Sequence, residues 1–342
     1  MKKVVATIPI NDRPTFMAMR PDGARAYTCN NDSGTVSVID TAAKKMIGAI
    51  RVAVTTAGMA IHPSGTKLYV VTPENNGPAA AVPGGAVRVI DTVTNKLTAN
   101  IVVDDRPLGV AIHPNGTRLY VGCENNHSVK VIDLATAGIT ATIDVDSAGF
   151  WLAISPNGSH LYVGGGDIHQ VTVVDTATNL VTAKIPVADT PWAIAVSPDS
   201  AHVYIGAGQL NPSTGALYVC DASSKVISAT IPLAGPPIGA AFSQDGRRLY
   251  VSNGSALTVI ATATNSVVNT VTIADLVTGV VVSPDQQRIY AAYGNNSVAV
   301  IEDYFPPSLA EAIARIRRLL EIVLPRVFTR PPRPTNFTSE PS

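Results

Sequence analysis

The sequence predicts an all-β fold, a seven-bladed β-propeller of four-stranded antiparallel blades. Three observations carry that expectation. A tyrosine at the heart of a short apolar strand recurs at Tyr27, Tyr69, Tyr120, Tyr162, Tyr204, Tyr250 and Tyr290, at intervals of 42, 51, 42, 42, 46 and 40 residues. Each copy runs through the same order of turns and strands. The seventh copy stops one strand short, and a strand of the right type stands at the other end of the chain. Repeats of about forty residues, each made of hairpin-linked strands, mark a propeller rather than a solenoid with its parallel stacking.

Each copy opens with a strand of small residues, such as Gly58-Met59-Ala60-Ile61 or Gly109-Val110-Ala111-Ile112. A turn follows, as in Arg20-Pro21-Asp22-Gly23, His62-Pro63-Ser64-Gly65, His113-Pro114-Asn115-Gly116 and Ser155-Pro156-Asn157-Gly158. Proline presets φ at the first central position and glycine accepts the positive φ. The tyrosine strand comes next, for example Leu119-Tyr120-Val121. A third strand of the type Val-x-Val-Ile-Asp occupies residues 36–40, 87–91, 129–133 and 171–175. A Thr-Ala-Thr-Asn type of turn leads to a fourth strand, such as residues 97–102 or 181–187. The seventh copy has strands at 277–283, 288–293 and 298–302 and then ends. Val4-Val5-Ala6-Thr7-Ile8-Pro9 resembles the segments ending in Ile185-Pro186 and Ile231-Pro232. The N-terminus is therefore expected to complete the last blade and remove its open edge.

Composition agrees. Of 342 residues, 46% are apolar but only 5% aromatic, with Val, Ala, Thr and Ile prominent, which suits sheets. Lys+Arg and Asp+Glu both number 25, so no global field favours nucleic acid, which is an unlikely partner on this reading. The balance is uneven. From Tyr304 onward six arginines face three glutamates, leaving the preceding 303 residues with 19 basic and 22 acidic groups. Three cysteines make no disulfide framework: Cys29 and Cys123 fall in equivalent strands two blades apart, beyond the ~7 Å Cα separation a bridge needs, and buried free thiols are expected. Nothing near Met1 reads as a signal peptide, and no run of about eighteen apolar residues suggests a transmembrane segment. The expectation is a soluble, cytoplasmic protein.

Together, Val-x-Val-Ile-Asp-Thr-x-Thr-Asn, then Ala-x-Ile-Pro-Val, then Ser-Pro-Asp-Gly-x-x-Tyr-Val resemble the YVTN family of β-propeller repeats, over residues 1–303. The resemblance is specific for fold and not for function. Relatives include surface-layer and periplasmic proteins and a propeller described as DNA-binding, and more distantly lactonases, a streptogramin lyase and quinoprotein dehydrogenase subunits.

Most conspicuous side chains fit the repeat. Asp40, Asp91, Asp133, Asp175 and Asp221 look like a carboxylate ring, but each precedes a turn whose backbone N–H it can accept. The repeat departs there at Ala261 and Glu302. His62 and His113 fill the pre-proline slot held elsewhere by Ser155, Ser197, Ser243 and Ser283, and read as turn residues on the face opposite any site.

Function is expected where a copy departs from the repeat, on the face shared by the fourth-to-first and second-to-third connections. The column seven residues before the turn proline holds Pro14, Thr56, Pro107, Gly149, Pro191, Pro237 and Val277, preceded in two copies by Arg13 and Arg106. Two columns later five copies carry Gly or Ala, while Phe16 and Trp151 fill the others; Trp192 stands one column earlier in the next blade. These residues suggest a pocket for a flat or anionic ligand, or else a plug packed into the channel mouth. A second departure is polar: Glu74, Glu124 with His127, and Asp167 with His169 lie on loops after the tyrosine strands. Glu124, His127, Asp167 and His169 could ligate a divalent metal, the one cofactor considered, or supply a general base, although metal-ligand spacing is missing. Two enlarged loops, at residues 73–86 and 208–215, share that face.

Two functions follow. One is a scaffold that binds a protein or small ligand through Arg13, Phe16, Arg106, Trp151 and Trp192. The alternative is a propeller enzyme of hydrolase, lyase or cyclase type, metal-assisted or not, with His127, His169 and Arg106 as catalytic candidates. Residues 304–325 predict an amphipathic helix: Ser308 and Glu311 form a capping box, and Leu309, Ile313, Ile316, Leu320 and Val323 form its stripe. Its segment 308–324 could dock on the propeller's own outer surface, bind a partner or associate with itself, or lie on an anionic membrane surface. Residues 326–342 read as a disordered Pro/Arg-rich tail.

Overall fold

Hairpins that alternate along the chain fold each repeat onto itself before it meets its neighbours, so every blade is one local sheet. The computed structural model describes residues 3–10, 12–73, 85–103, 106–146, 148–166, 168–209, 213–294 and 296–302. Among them, 28 strands form seven four-stranded antiparallel sheets. Six sheets follow chain order. In the seventh, Lys3–Pro9 lies outside Ser297–Glu302, followed by Arg288–Tyr293 and Val277–Val282. Lys3 opposes Glu302 and Pro9 opposes Ser297. The ring closes as the sequence predicts. The expected helix at 304–325 and the tail at 326–342 lie outside the described residues.

The core lies between blades. Seven apolar clusters each join consecutive blades, as where Tyr120, Val129 and Val131 of the third pack on Leu161, Val163 and Val174 of the fourth. Ile8, Tyr290 and Val298 of the seventh meet Ala26 and Ile39 of the first. This explains the burial pattern. Second and third strands are covered on both faces and read as unbroken buried runs, while fourth strands such as Leu180–Pro186 are largely exposed.

The repeat motifs are hooks in this packing. Tyrosine hydroxyls reach the next blade's outer turn: Tyr27 Oη donates to Thr92 O and Asn95 Oδ1 (both 3.4 Å), Tyr204 Oη to Asn265 Oδ1 (2.8 Å) and Tyr290 Oη to Thr41 O (3.3 Å). Burial raises these phenols' pKa. The aspartates cap turns as expected. Asp175 Oδ1, for example, accepts from Ala177 N, Thr178 N and Thr178 Oγ1 at 3.1, 2.8 and 2.8 Å. The threonine that follows the third strand hooks its own blade's first turn, after an aspartate at Thr41, whose Oγ1 donates to Gly23 O (2.6 Å), and after Ala261 at Thr262, whose Oγ1 donates to Gly246 O (2.7 Å). His62 does likewise between blades: Nδ1 meets Ser64 Oγ at 2.7 Å and Nε2 meets Gly116 O at 3.1 Å, so it is a turn residue. Cys29, Cys123 and Cys220 are free and buried.

Candidate functional site

The innermost strands line a central channel, and the side chains there decide what it can hold. Four carry glycine at the column that faces the next blade. A Cβ on Gly58 would lie 2.8 Å from Leu108 O, and one on Gly279 would lie 2.3 Å from Thr15 O. Gly58 N donates to Leu108 O at 2.8 Å. The column is therefore small because consecutive inner strands touch through backbone. Phe16 and Trp151 break it. In the blade after Phe16 the first strand shortens to Met59–Ile61, and Trp151 itself begins a four-residue strand.

Phe16 and Trp151 meet across the ring, from the first and fourth blades, with ring centroids 5.1 Å apart and planes at 41°. They help wall a cavity of about 220 Å³, with Gly58, Gly109, Gly239 and Gly279 on other sides. Phe150 joins them. Its place depends on Gly165, at φ +113, where a Cβ would lie 2.6 Å from Phe150 Cβ. Thr278 supplies the one side-chain hydroxyl among the described lining residues, and its Oγ1 donates to Pro14 O (2.9 Å) and Ala292 O (3.3 Å).

The other candidates sit outside that cavity. Trp192 Nε1 donates to Gly208 O at 2.9 Å, bracing the long hairpin of His202–Gln209 and Thr214–Asp221. Arg13 is exposed, and its backbone carbonyl accepts from Asn31 N at 3.1 Å. Arg106 is tied to Glu124 twice, by an ion pair and by Glu124 N donating to Arg106 O at 3.1 Å. Arg106 also stands at φ +53 directly before Pro107, a sparsely populated conformation for a non-glycine residue.

His127 and His169 occupy equivalent positions whose shared role is in the backbone. Their carbonyls accept from Val145 N (2.8 Å) and Val187 N (3.0 Å), as Gly34 O accepts from Val52 N (3.0 Å) in the first blade. Both imidazoles are exposed. Among the described residues no group of three or more His, Cys, Asp or Glu could hold a metal ion, and Glu124 is the carboxylate of the Arg106 pair. Asp167, Glu74 and most of the 73–86 insertion lie outside the described residues, as do residues 210–212 of the second enlarged loop.

Phe150 does not stand out in its sequence column. It stands among Thr15, Ala57, Leu108, Trp192, Ile238 and Thr278, a column with no consensus to depart from. The double glycine at 165–166, found in no other copy at that point, was the available signal.

No family model matches the chain, and no curated protein matches it. Among solved structures it is similar to the Kuenenia stuttgartiensis hydrazine synthase, with a TM-score of 0.74 at 21% identity, over 85% of this chain and 96% of that one. In all, 1696 solved chains match, so the likeness establishes a β-propeller fold and selects no activity. Among the described residues no helix is long and apolar enough to cross a membrane.

Proposed function

We infer that the protein is a binding module of the YVTN-repeat type, whose loop face presents the channel mouth to a small ligand or to an inserted side chain of a partner protein. The observation that carries this reading is the aromatic pair Phe16–Trp151 in a channel cavity otherwise lined mainly by glycines, aliphatic side chains and strand backbone. Binding sites are mostly apolar concavities with a few polar groups that fix orientation. A catalytic reading needs converging acid–base groups, and the polar candidates support other roles: Arg106 and Glu124 hold each other, and His127 and His169 share a backbone function.

Trp151 reports on the site directly, because the chain has only two tryptophans. In the Trp192→Phe protein, a fragment set of anionic, cationic and neutral compounds is expected to include members that change Trp151 emission saturably. Those same compounds should raise the melting temperature of the wild type and lose affinity in Phe16→Leu. Emission that no fragment changes, or affinities indifferent to Phe16, would contradict the reading.

A further inference from the structure

We propose that the channel cavity selects an uncharged, single-ring aromatic ligand of phenol type, its ring against Trp151 and Phe16 and its hydroxyl on an inner-strand amide. The proposal rests on the binding reading above and names the ligand class for that site.

Size comes first. The cavity measures about 220 Å³. That is the liquid volume of roughly seven waters at ~30 Å³ each, and an apolar cavity of ~150 Å³ is enough to take benzene. One ring with one or two small substituents fits that space.

Charge comes next. Among the described residues no charged side chain lines the cavity, and its one hydroxyl, on Thr278, is already engaged. A carboxylate or ammonium group carried inside would lose part of its hydration with no counter-charge in the lining to replace it. The arginines do not supply one. Arg13 and Arg106 are not in the lining, and Arg106 is held by Glu124.

Polarity is left to the backbone. Each innermost strand is the end strand of its sheet, so one edge of its amides and carbonyls has no ladder partner within the blade. Apart from groups already bonded, such as Gly58 N to Leu108 O and Gly239 N to Ser252 Oγ, these edges offer neutral donors and acceptors, which a phenolic O–H can use in either sense. The wall supplies the preference for a ring over a chain. Phe16 from the first blade and Phe150 and Trp151 from the fourth share the lining with glycines of other blades, and tilted or edge contacts between rings contribute beyond the area they bury.

Calorimetric titration of the full chain with p-cresol, 4-methylbenzoate, 4-methylbenzylamine and 4-methylcyclohexanol tests this. The expected order places p-cresol first, with the two charged probes and the aliphatic ring each weaker by about tenfold or more. Trp151→Phe should keep the preference for p-cresol over 4-methylcyclohexanol and Trp151→Leu should abolish it, a ratio that merely structural damage would not move. Conservative Phe16→Leu provides a second variant if Trp151→Leu fails to fold. Tighter binding of 4-methylbenzoate, lost in Arg13→Ala or Arg106→Ala, would overturn the uncharged class while leaving the binding face intact. Equal affinity for 4-methylcyclohexanol would overturn the aromatic class alone. If no probe gives a saturable heat, the phenol-type proposal falls, and the binding reading is then decided by the Trp151 fluorescence experiment.

Discussion

At the scale of single residues, position in the repeat decides whether a reactive group is available. The thiols illustrate it. Burial pushes Cys29 up to about 12 and Cys220 up to about 11, and Cys29, Cys123 and Cys220 have no exposed surface. A thiol reacts as thiolate, so native protein should resist iodoacetamide at neutral pH and take up three equivalents once unfolded in guanidinium; rapid labelling of native protein would contradict this placement. The same logic separates the aromatic residues. Trp192 was legible as an anomaly in the sequence, yet its indole N–H serves the hairpin through Gly208 O. Trp192→Phe should therefore lower stability by about 1 kcal/mol, the usual net worth of one hydrogen bond, and leave ligand affinity unchanged. Phe16 and Trp151 were legible as breaks in a glycine column. Their mutual contact was not, because they stand 135 positions apart, in the first and fourth blades, and only the curvature of the ring brings them together.

At the scale of elements, the turns and hooks account for the repeat consensus. The carboxyls of Asp91, Asp133 and Asp175 are held below the ordinary carboxylate range, first by the backbone N–H of Thr94, Thr136 and Thr178 and then by the hydroxyls of the same threonines. A pKa lower in the folded state gives stability that is present above about pH 4, the unfolded value, and is lost as pH falls through the folded values. Melting temperature should thus decline below about pH 4, and less steeply when Asp91, Asp133 and Asp175 are all changed to Asn. An unchanged slope would remove these turns from the acid response. The tyrosines give a paired comparison. Tyr204 Oη donates to Asn265, whereas Tyr120 Oη is buried with no hydrogen-bond partner among the described residues. Chemical denaturation should find Tyr204→Phe destabilising by about 1 kcal/mol and Tyr120→Phe neutral or stabilising, since removing an unsatisfied hydroxyl ends its desolvation penalty. The period of the tyrosines was visible in the sequence. Their target, the outer turn of the following blade, needed coordinates, because the contact crosses about sixty residues of chain in the Tyr204 case.

At the scale of the whole molecule, closure and cavity belong to one design. The first strand of the chain, Lys3–Pro9, covers Ser297–Glu302, and Ile8 is buried in the layer joining the last blade to the first. Deleting residues 1–10 should lower the melting temperature of the entire ring and expose the Ser297–Glu302 edge to self-association. A melting curve that overlays the wild type would refute the closure. That strand was legible because it matched other blades' fourth strands residue by residue. The polar candidates were harder to judge from sequence, because a loop histidine carries no period that separates a backbone role from a ligand role.

The central claim, that ligand enters the channel between the first and fourth blades, is tested most directly by a crystal structure of the full chain soaked with its best-binding fragment. Density is expected inside the channel, against Trp151 and Phe16. Density confined to the outer rim would contradict it, for example in the cleft of about 170 Å³ lined by Asp144, Asp146 and Lys184.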